Sequence, residues 1–305
     1  MDKVLFGTGL REPHGVAGFA RRAESLGFDV LGCGEHVSFY VPTANTFISL
    51  SVAAGATERI RLMSTIVLLP LYPAALCAKL GAALDVASNG RYLFGVGIGG
   101  EIAREFEACG VPVKERGPRT DEALQVIRKL WTGEKVDFEG RFTTLNQVDI
   151  QPPPVQKPAP PIWVAGRRNG AMRRAGRYGD GWLPYMYTPE MLAESVEKIR
   201  AFSLEAGREV DAVTPGLFVF TSVHRDSAQA KEMAAARLGR QYAQDFSTLT
   251  SKYVIAGTPA ECRARLREYL DAGARLVMLS SACPDEYIDE NIELIAKEVI
   301  PEFRE

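Results

Sequence analysis

Eight short apolar runs constrain the fold of this chain more than any other feature: residues 4–6, 28–31, 60–69, 92–98, 162–165, 181–183, 217–221 and 276–280. A continuous apolar run of this kind suits a strand buried on both faces, as parallel strands are. Between most of them lie residues at helical spacing: Leu76, Leu80, Ala83, Leu84 and Ala87 in one stretch, Leu124, Ile127, Leu130 and Trp131 in another, Leu192, Val196, Ile199 and Phe202 in a third. Cys262, Leu266, Tyr269 and Leu270, then Ile288, Ile292, Ile295 and Val299, continue the pattern to the end. Each set lines one face of a helix able to cover a sheet. Eight strands alternating with helices predict an α/β fold of the (β/α)8 TIM-barrel type, with an open doubly wound sheet as the alternative. The 305 residues accommodate one such barrel, of about 250 residues plus insertions, so residues 1–305 read as a single domain.

Two segments interrupt the alternation. Residues 135–150, KVDFEGRFTTLNQVDI, alternate with period two about Glu139-Gly140 and predict a β-hairpin. The PPPVQKPAPP that follows is a stiff connector, and together they form an insertion before strand five. Residues 240–254 lack a clean pattern and read as an irregular, lid-like region or a loop packed over the barrel mouth.

Charge and cysteine usage narrow the function. Lys plus Arg, 36, against Asp plus Glu, 38, gives 36 − 38 = −2, which offers no basic field to nucleic acid. The amino terminus lacks signal-peptide features and no run reaches membrane-spanning length, so a cytoplasmic protein acting on a small molecule is expected. Five cysteines without CxxC spacing indicate neither a disulfide framework nor a zinc site.

Barrel enzymes carry their chemistry at the carboxyl ends of the strands. After strand two stand Glu35 and His36; a His beside a carboxylate can give or take a proton near neutral pH, although a polar pair can also simply cap the next helix. His14 and His224 share no ligand spacing with His36, so no metal is expected. Strand four runs into Gly95–Glu101, GVGIGGE, whose glycines allow a planar ring to lie close to the backbone. Glu101 then begins a helix. Arg119, just after Pro118, can reach an anion in the mouth or pair on the surface with Asp121 or Glu122.

The stretch PPIWVAGRRNGAMRRAGRYGDGWLP reads as strand, turn, helix and strand almost without spacer. Gly166 ends the strand, and Arg167, Arg168, Asn169 and Gly170 lead into a helix with Ala171, Met172, Ala175 and Tyr178 inward and Arg173, Arg174 and Arg177 toward solvent. Free N–H groups and the helix dipole favour an anion there, a phosphate above all. An ordinary βα turn with solvated arginines is the plain alternative.

Three segments, LDVASNGRYLFGVGIGGEIAREFEACGV, ERGPRTDEALQVIRKLWTGEKVDFEGRF and QPPPVQKPAPPIWVAGRRNGAMRRAGRYGDGWLP, in this order and spacing resemble the bacterial luciferase-like superfamily of oxidoreductases. The resemblance implies a barrel that binds FMN or the deazaflavin F420 at its mouth, usually as a homodimer. It places Glu35 and His36 beside the ring as catalytic residues, with Glu101 as a further acid or base. Thr65-Ile66 matches a position where many members have a non-prolyl cis peptide. Gly97, Ile98, Gly99 and Gly100 match the loop flanking the ring, and Ala165, Gly166, Arg167, Arg168, Asn169 and Gly170 match the phosphate loop, with Arg119 a secondary phosphate ligand.

The activity implied first is that of a flavoprotein monooxygenase, using reduced FMN from a separate reductase and O2 on a small organic substrate. The alternatives are hydride transfer with F420, coupled to an F420 reductase, and flavin binding without turnover. Glu35-His36 stands closer to the flavin monooxygenases, since F420 members often carry Asp-His, whereas the basic turn suits the longer anionic tail of F420. Phe39, Tyr40, Tyr72 and Tyr185–Tyr187 suggest a hydrophobic or aromatic substrate, or serve as packing.

Overall fold

A computed structural model describes residues 3–10, 14–100, 102–242 and 245–304. Eight parallel strands form its centre: β1 (Leu5–Gly9), β2 (Val30–Cys33), β3 (Arg61–Ser64, continued by Val67–Leu68), β4 (Tyr92–Gly97), β5 (Ile162–Ala165), β6 (Gly181–Leu183), β7 (Thr214–Val223) and β8 (Leu276–Ser281). Each pairs with its neighbour in sequence, and β8 returns to β1 with Leu5 opposite Leu276. That last pairing closes the barrel and excludes the open sheet. All eight apolar runs supply a strand.

Side chains of unequal size fill the interior. Val30, Met63, Leu93, Trp163, Leu183, Leu276 and Met278 form its core, with Leu5 and Phe218 packed against them. Met278 has room because Gly7 and Gly32 face it, and Trp163 because Gly181 and Gly216 do; a Cβ on any of the four would collide with the larger side chain. Large residues opposite glycines keep the centre dense without strain. A second and larger cluster, including Phe6, Leu31, Leu62, Phe94, Trp131, Trp182 and Val277, joins the outer faces of the strands to the surrounding helices.

The hairpin forms as the alternation predicts, Val136–Glu139 antiparallel to Thr144–Val148. Its Pro-rich connector is tied to the barrel by Asp85, which is fully buried and accepts hydrogen bonds from the Gln156 backbone and side-chain amides. The region around 240–254 is more regular than its sequence pattern. Helices Ser227–Tyr242 and Ser247–Tyr253 flank residues 243 and 244, which lie outside the described residues, and a short strand, Ile255–Gly257, then pairs with the upper half of β7. Phe246, Val254, Ala234 and Leu238 pack with Phe220 and Ala282, and Phe218 touches both this cluster and the barrel core. The two helices therefore form a packed roof at the carboxyl end of β7. Among the described residues no helix is long and apolar enough to cross a membrane.

Candidate functional site

His36 follows β2 at the carboxyl end of the barrel, with 22% of its side chain exposed. Its Nδ1 lies 3.2 and 3.3 Å from the two carboxylate oxygens of Glu105. Glu105 is fully buried and also accepts a hydrogen bond from the Val37 amide, at 3.2 Å. A carboxylate can only accept, so the ring donates from Nδ1 and leaves Nε2 as its free nitrogen. Phe39 stacks on the imidazole at 4.1 Å between centroids and 13° between planes. The ring is thus held at one edge by an acid and on one face by an aromatic.

Glu105 was not among the residues expected from sequence. It sits in the six-residue helix Ala103–Ala108, whose other buried contacts come from Ile102 and Phe106. Ile102, Glu105 and Phe106 follow helical spacing, so the acid occupies a position where the pattern calls for an apolar residue. That misplaced charge was the available signal. Glu101, the acid expected in its stead, lies outside the described residues.

Glu35 points elsewhere. Its carboxylate accepts hydrogen bonds from the Leu68 amide, the Thr46 amide, Asn45 Nδ2 and the Tyr72 hydroxyl, at 3.0 to 3.3 Å. It therefore ties the end of β2 to the start of helix Thr46–Ala56 and to the extension of β3. Burial pushes its carboxyl above the ordinary range, with the charge of Glu105 adding to the effect and its hydrogen bonds opposing it. A raised pKa means that ionisation costs more in the fold than in the unfolded chain. The stability from this group is therefore full at acid pH and falls as pH rises through the raised value. Glu35→Ala leaves buried donors unpaired and is expected to cost about 3 kcal/mol. Thermal unfolding checks this, and a Tm within about 1 °C of the parent would contradict it.

The glycines after β4 make room mainly for the protein's own chain. The Thr65–Ile66 peptide is cis, and here β3 bulges toward its neighbours: a Cβ on Gly34 would stand 2.9 Å from the Thr65 carbonyl oxygen, and one on Gly97 would collide with the Ile66 side chain. Gly99 (φ +56°) faces Phe106 and Leu68, and Gly100 (φ +100°) faces Arg116. Both are left-handed positions that favour glycine. Ile98, between them and β4, is half-buried.

The arginine brought to this loop is Arg116 rather than Arg119. Arg116 Nη1 donates to the Val113 carbonyl at 3.0 Å, while its Nε is buried with no hydrogen-bond partner among the described residues. Arg119 pairs with Glu115 at 3.0 Å and lies over the Phe142 ring, 4.5 Å from its centroid. Its expected surface partners are taken: Asp121 by Arg174, Glu122 by the backbone of Arg141 and Phe142. Arg174, expected to face solvent, is buried and bonded to Asp121 at 2.6 Å. It fastens helix Asn169–Tyr178 to helix Arg116–Leu130, and its Nη2 reaches the Gly117 carbonyl at 3.4 Å.

The turn after β5 is built from below. Gly166 has φ +129°, a Cβ there would stand 2.7 Å from that of Ala171, and its carbonyl accepts from Trp182 Nε1 at 2.9 Å. Tyr187 donates to the Arg167 carbonyl at 2.9 Å, and the Arg167 guanidinium lies over Tyr185. Arg167, Arg168, Asn169 and Gly170 are all exposed, and no side chain caps the helix. The Arg168 carbonyl accepts from Ala171 and Met172, so the amides of Asn169 and Gly170 open the helix ahead of its own ladder. A buried frame thus presents open amides and two guanidiniums, the donor set an anion requires.

Residues 6–276 match the model of the luciferase-like monooxygenase family. The chain is 26% identical to an F420-dependent glucose-6-phosphate dehydrogenase of Microbacterium testaceum, covering 96% of this chain and 94% of that one. It is equally similar to a 5,10-methylenetetrahydromethanopterin reductase of Methanolobus tindarius, 26% identical over 93% and 95% of the two chains. Its fold superposes on that of a monooxygenase from Streptomyces bottropensis with a TM-score of 0.88 at 24% identity, over 98% and 99% of the chains. This chain is an oxidoreductase and belongs to the luciferase-like monooxygenase family.

Proposed function

We propose that the protein is an F420-dependent oxidoreductase that passes a hydride between the deazaflavin and a small organic substrate. The observation that carries this reading is the turn Gly166–Gly170, where open amides and two exposed arginines suit a phosphate with further anionic groups beyond it. The relatives similar over nearly the whole chain support it, an F420-dependent dehydrogenase among them.

The residues present fit such a cofactor. Asn169 and Gly170 hold the phosphate end, Arg167 and Arg168 meet the anionic tail, and the orphaned Nε of Arg116 beside Gly100 offers a further donor. The bulge at Thr65–Ile66 and the loop Gly97–Gly100 bracket the ring. When bound, the cofactor supplies a carbon centre that gives or accepts hydride. His36 presents Nε2 to the substrate and takes or returns the proton, while Glu105 fixes the tautomer. Glu35 is a positioning residue, and Arg119 is set aside as a ligand. In the reductive direction a separate F420 reductase supplies the reduced cofactor.

One observation favours a second reading: the pair after β2 is Glu-His rather than Asp-His. This points to a monooxygenase using reduced FMN and O2. Titration of the apo protein with each cofactor separates the two. F420 is expected to bind at least about tenfold more tightly than FMN; submicromolar FMN binding with no F420 binding would replace the first reading by the second. Turnover with neither would leave a flavin-binding protein.

The same reading includes a homodimer. Ile48, Val52 and Leu76 stand 69%, 47% and 50% exposed on helices Thr46–Ala56 and Ala74–Ala87, which pack against each other, and a second copy would cover them. Light scattering should give a dimer that Ile48→Glu with Val52→Glu converts to a monomer. A monomeric parent protein contradicts this.

A further inference from the structure

We infer that Arg237 is the anion-recognition residue of the substrate pocket, and that the substrate joins a carboxylate, phosphate or sulfonate group to an apolar body. This deepens the proposed function and rests on its placement of the reaction at the barrel mouth. Arg237 belongs to helix Ser227–Tyr242 of the roof, next to Leu238 and one turn from Ala234, and both of these pack with Phe220, which by strand alternation shares the face of Phe218, the residue that also packs on the barrel core.

Arg237 is half-buried, its Nε is wholly buried, and among the described residues no hydrogen bond or ion pair holds it. Among the described residues the comparable arginines are tied at least in part: Arg174 to Asp121, Arg128 and Arg208 to Asp180, Arg263 to Glu302, and Arg91 to backbone carbonyls, while Arg116, whose Nε is likewise unpaired, still donates through Nη1 to the Val113 carbonyl. A buried guanidinium donor left unpaired costs free energy that a fold normally avoids. A ligand anion that pairs with it in the working protein accounts for its retention. The wall beside it is apolar, formed by Phe220, Phe246 and Leu238 with Met186 packed against them. Met186 has a left-handed backbone, φ +52°, of the kind that clusters at ligand sites. A ligand lodged here therefore meets one unpaired cation beside an apolar wall.

The test uses two fluorescent probes of similar body, the anionic 8-anilinonaphthalene-1-sulfonate and the neutral N-phenyl-1-naphthylamine, titrated into the full-length protein. Arg237→Gln should weaken the sulfonate at least about tenfold and leave the neutral probe unchanged, with Tm equal to or above that of the parent because the buried Nε donor that lacks a partner is gone. Arg240→Gln, an exposed arginine of the same helix, should change neither. Equal sulfonate affinity in Arg237→Gln, or equal loss of both probes, overturns the inference. So does loss of the sulfonate in Arg167→Glu with Arg168→Glu but not in Arg237→Gln, since the probe then sits at the cofactor turn. No cofactor enters these titrations, so failure of the F420 assignment leaves their outcome readable.

Discussion

His36→Ala is expected to lower turnover by about 10² or more while cofactor affinity stays within about tenfold. The imidazole offers Nε2 at the barrel mouth, and it is held there by contacts that do not touch the turn after β5: Glu105 at Nδ1 and Phe39 on its face. Removing it should take away the proposed proton transfer while leaving the turn after β5 intact. Added imidazole should restore part of the rate, since the cavity left behind keeps the Glu105 acceptor. Glu105→Gln separates positioning from chemistry. The amide retains the volume but no longer imposes a single orientation on the ring, so kcat should fall by about tenfold with KM little changed. Steady-state kinetics with the substrate in use check both variants, and an unchanged kcat in His36→Ala removes this residue from the mechanism.

Arg167→Glu combined with Arg168→Glu should weaken cofactor binding at least about a hundredfold and leave the reactivity of whatever cofactor remains bound nearly unaltered. The reversal puts two carboxylates where an anion must approach, at a helix start that already lacks a side-chain cap. Both side chains are exposed and neither is buried in the core, so the fold should tolerate the change. Isothermal titration with F420 measures the loss, and rising salt should weaken the parent complex in the same sense. Unchanged affinity returns the segment to an ordinary βα turn.

The parts legible in sequence were those governed by local rules. Each barrel strand announced itself as an apolar run because burial on both faces leaves no alternation to obscure it. The turn after β5 was legible because Gly166, the arginines and the apolar face of the helix act within a dozen residues of one another. What escaped was non-local. Helix Ser247–Tyr253, STLTSKY, has only Thr250 buried, and the residues that pin it, Phe246 and Val254, flank it rather than form a stripe along it. Arg174 looked solvent-facing because the acid that buries it, Asp121, comes from another helix. Arg119 and Arg116 differ by less than one turn, and only the packing of Gly100 against Arg116 distinguishes them. Glu35 and His36 are adjacent in sequence, yet successive residues leaving a strand face opposite ways, so one enters a structural knot and the other the mouth. Even the glycines at the end of β4 answer to neighbours that the local pattern does not show: Gly97 to Ile66, Gly99 to Leu68 and Phe106, and Gly100 to Arg116.

We propose a division of labour across the mouth, with the phosphate of F420 on the turn after β5 and proton transfer at His36. A crystal structure of the protein with bound F420 tests it most directly. The phosphate is expected at hydrogen-bond distance from the amides of Asn169 and Gly170, with the deazaflavin between the Thr65–Ile66 bulge and His36 Nε2. A phosphate bound anywhere else, with that turn left to solvent, would contradict it.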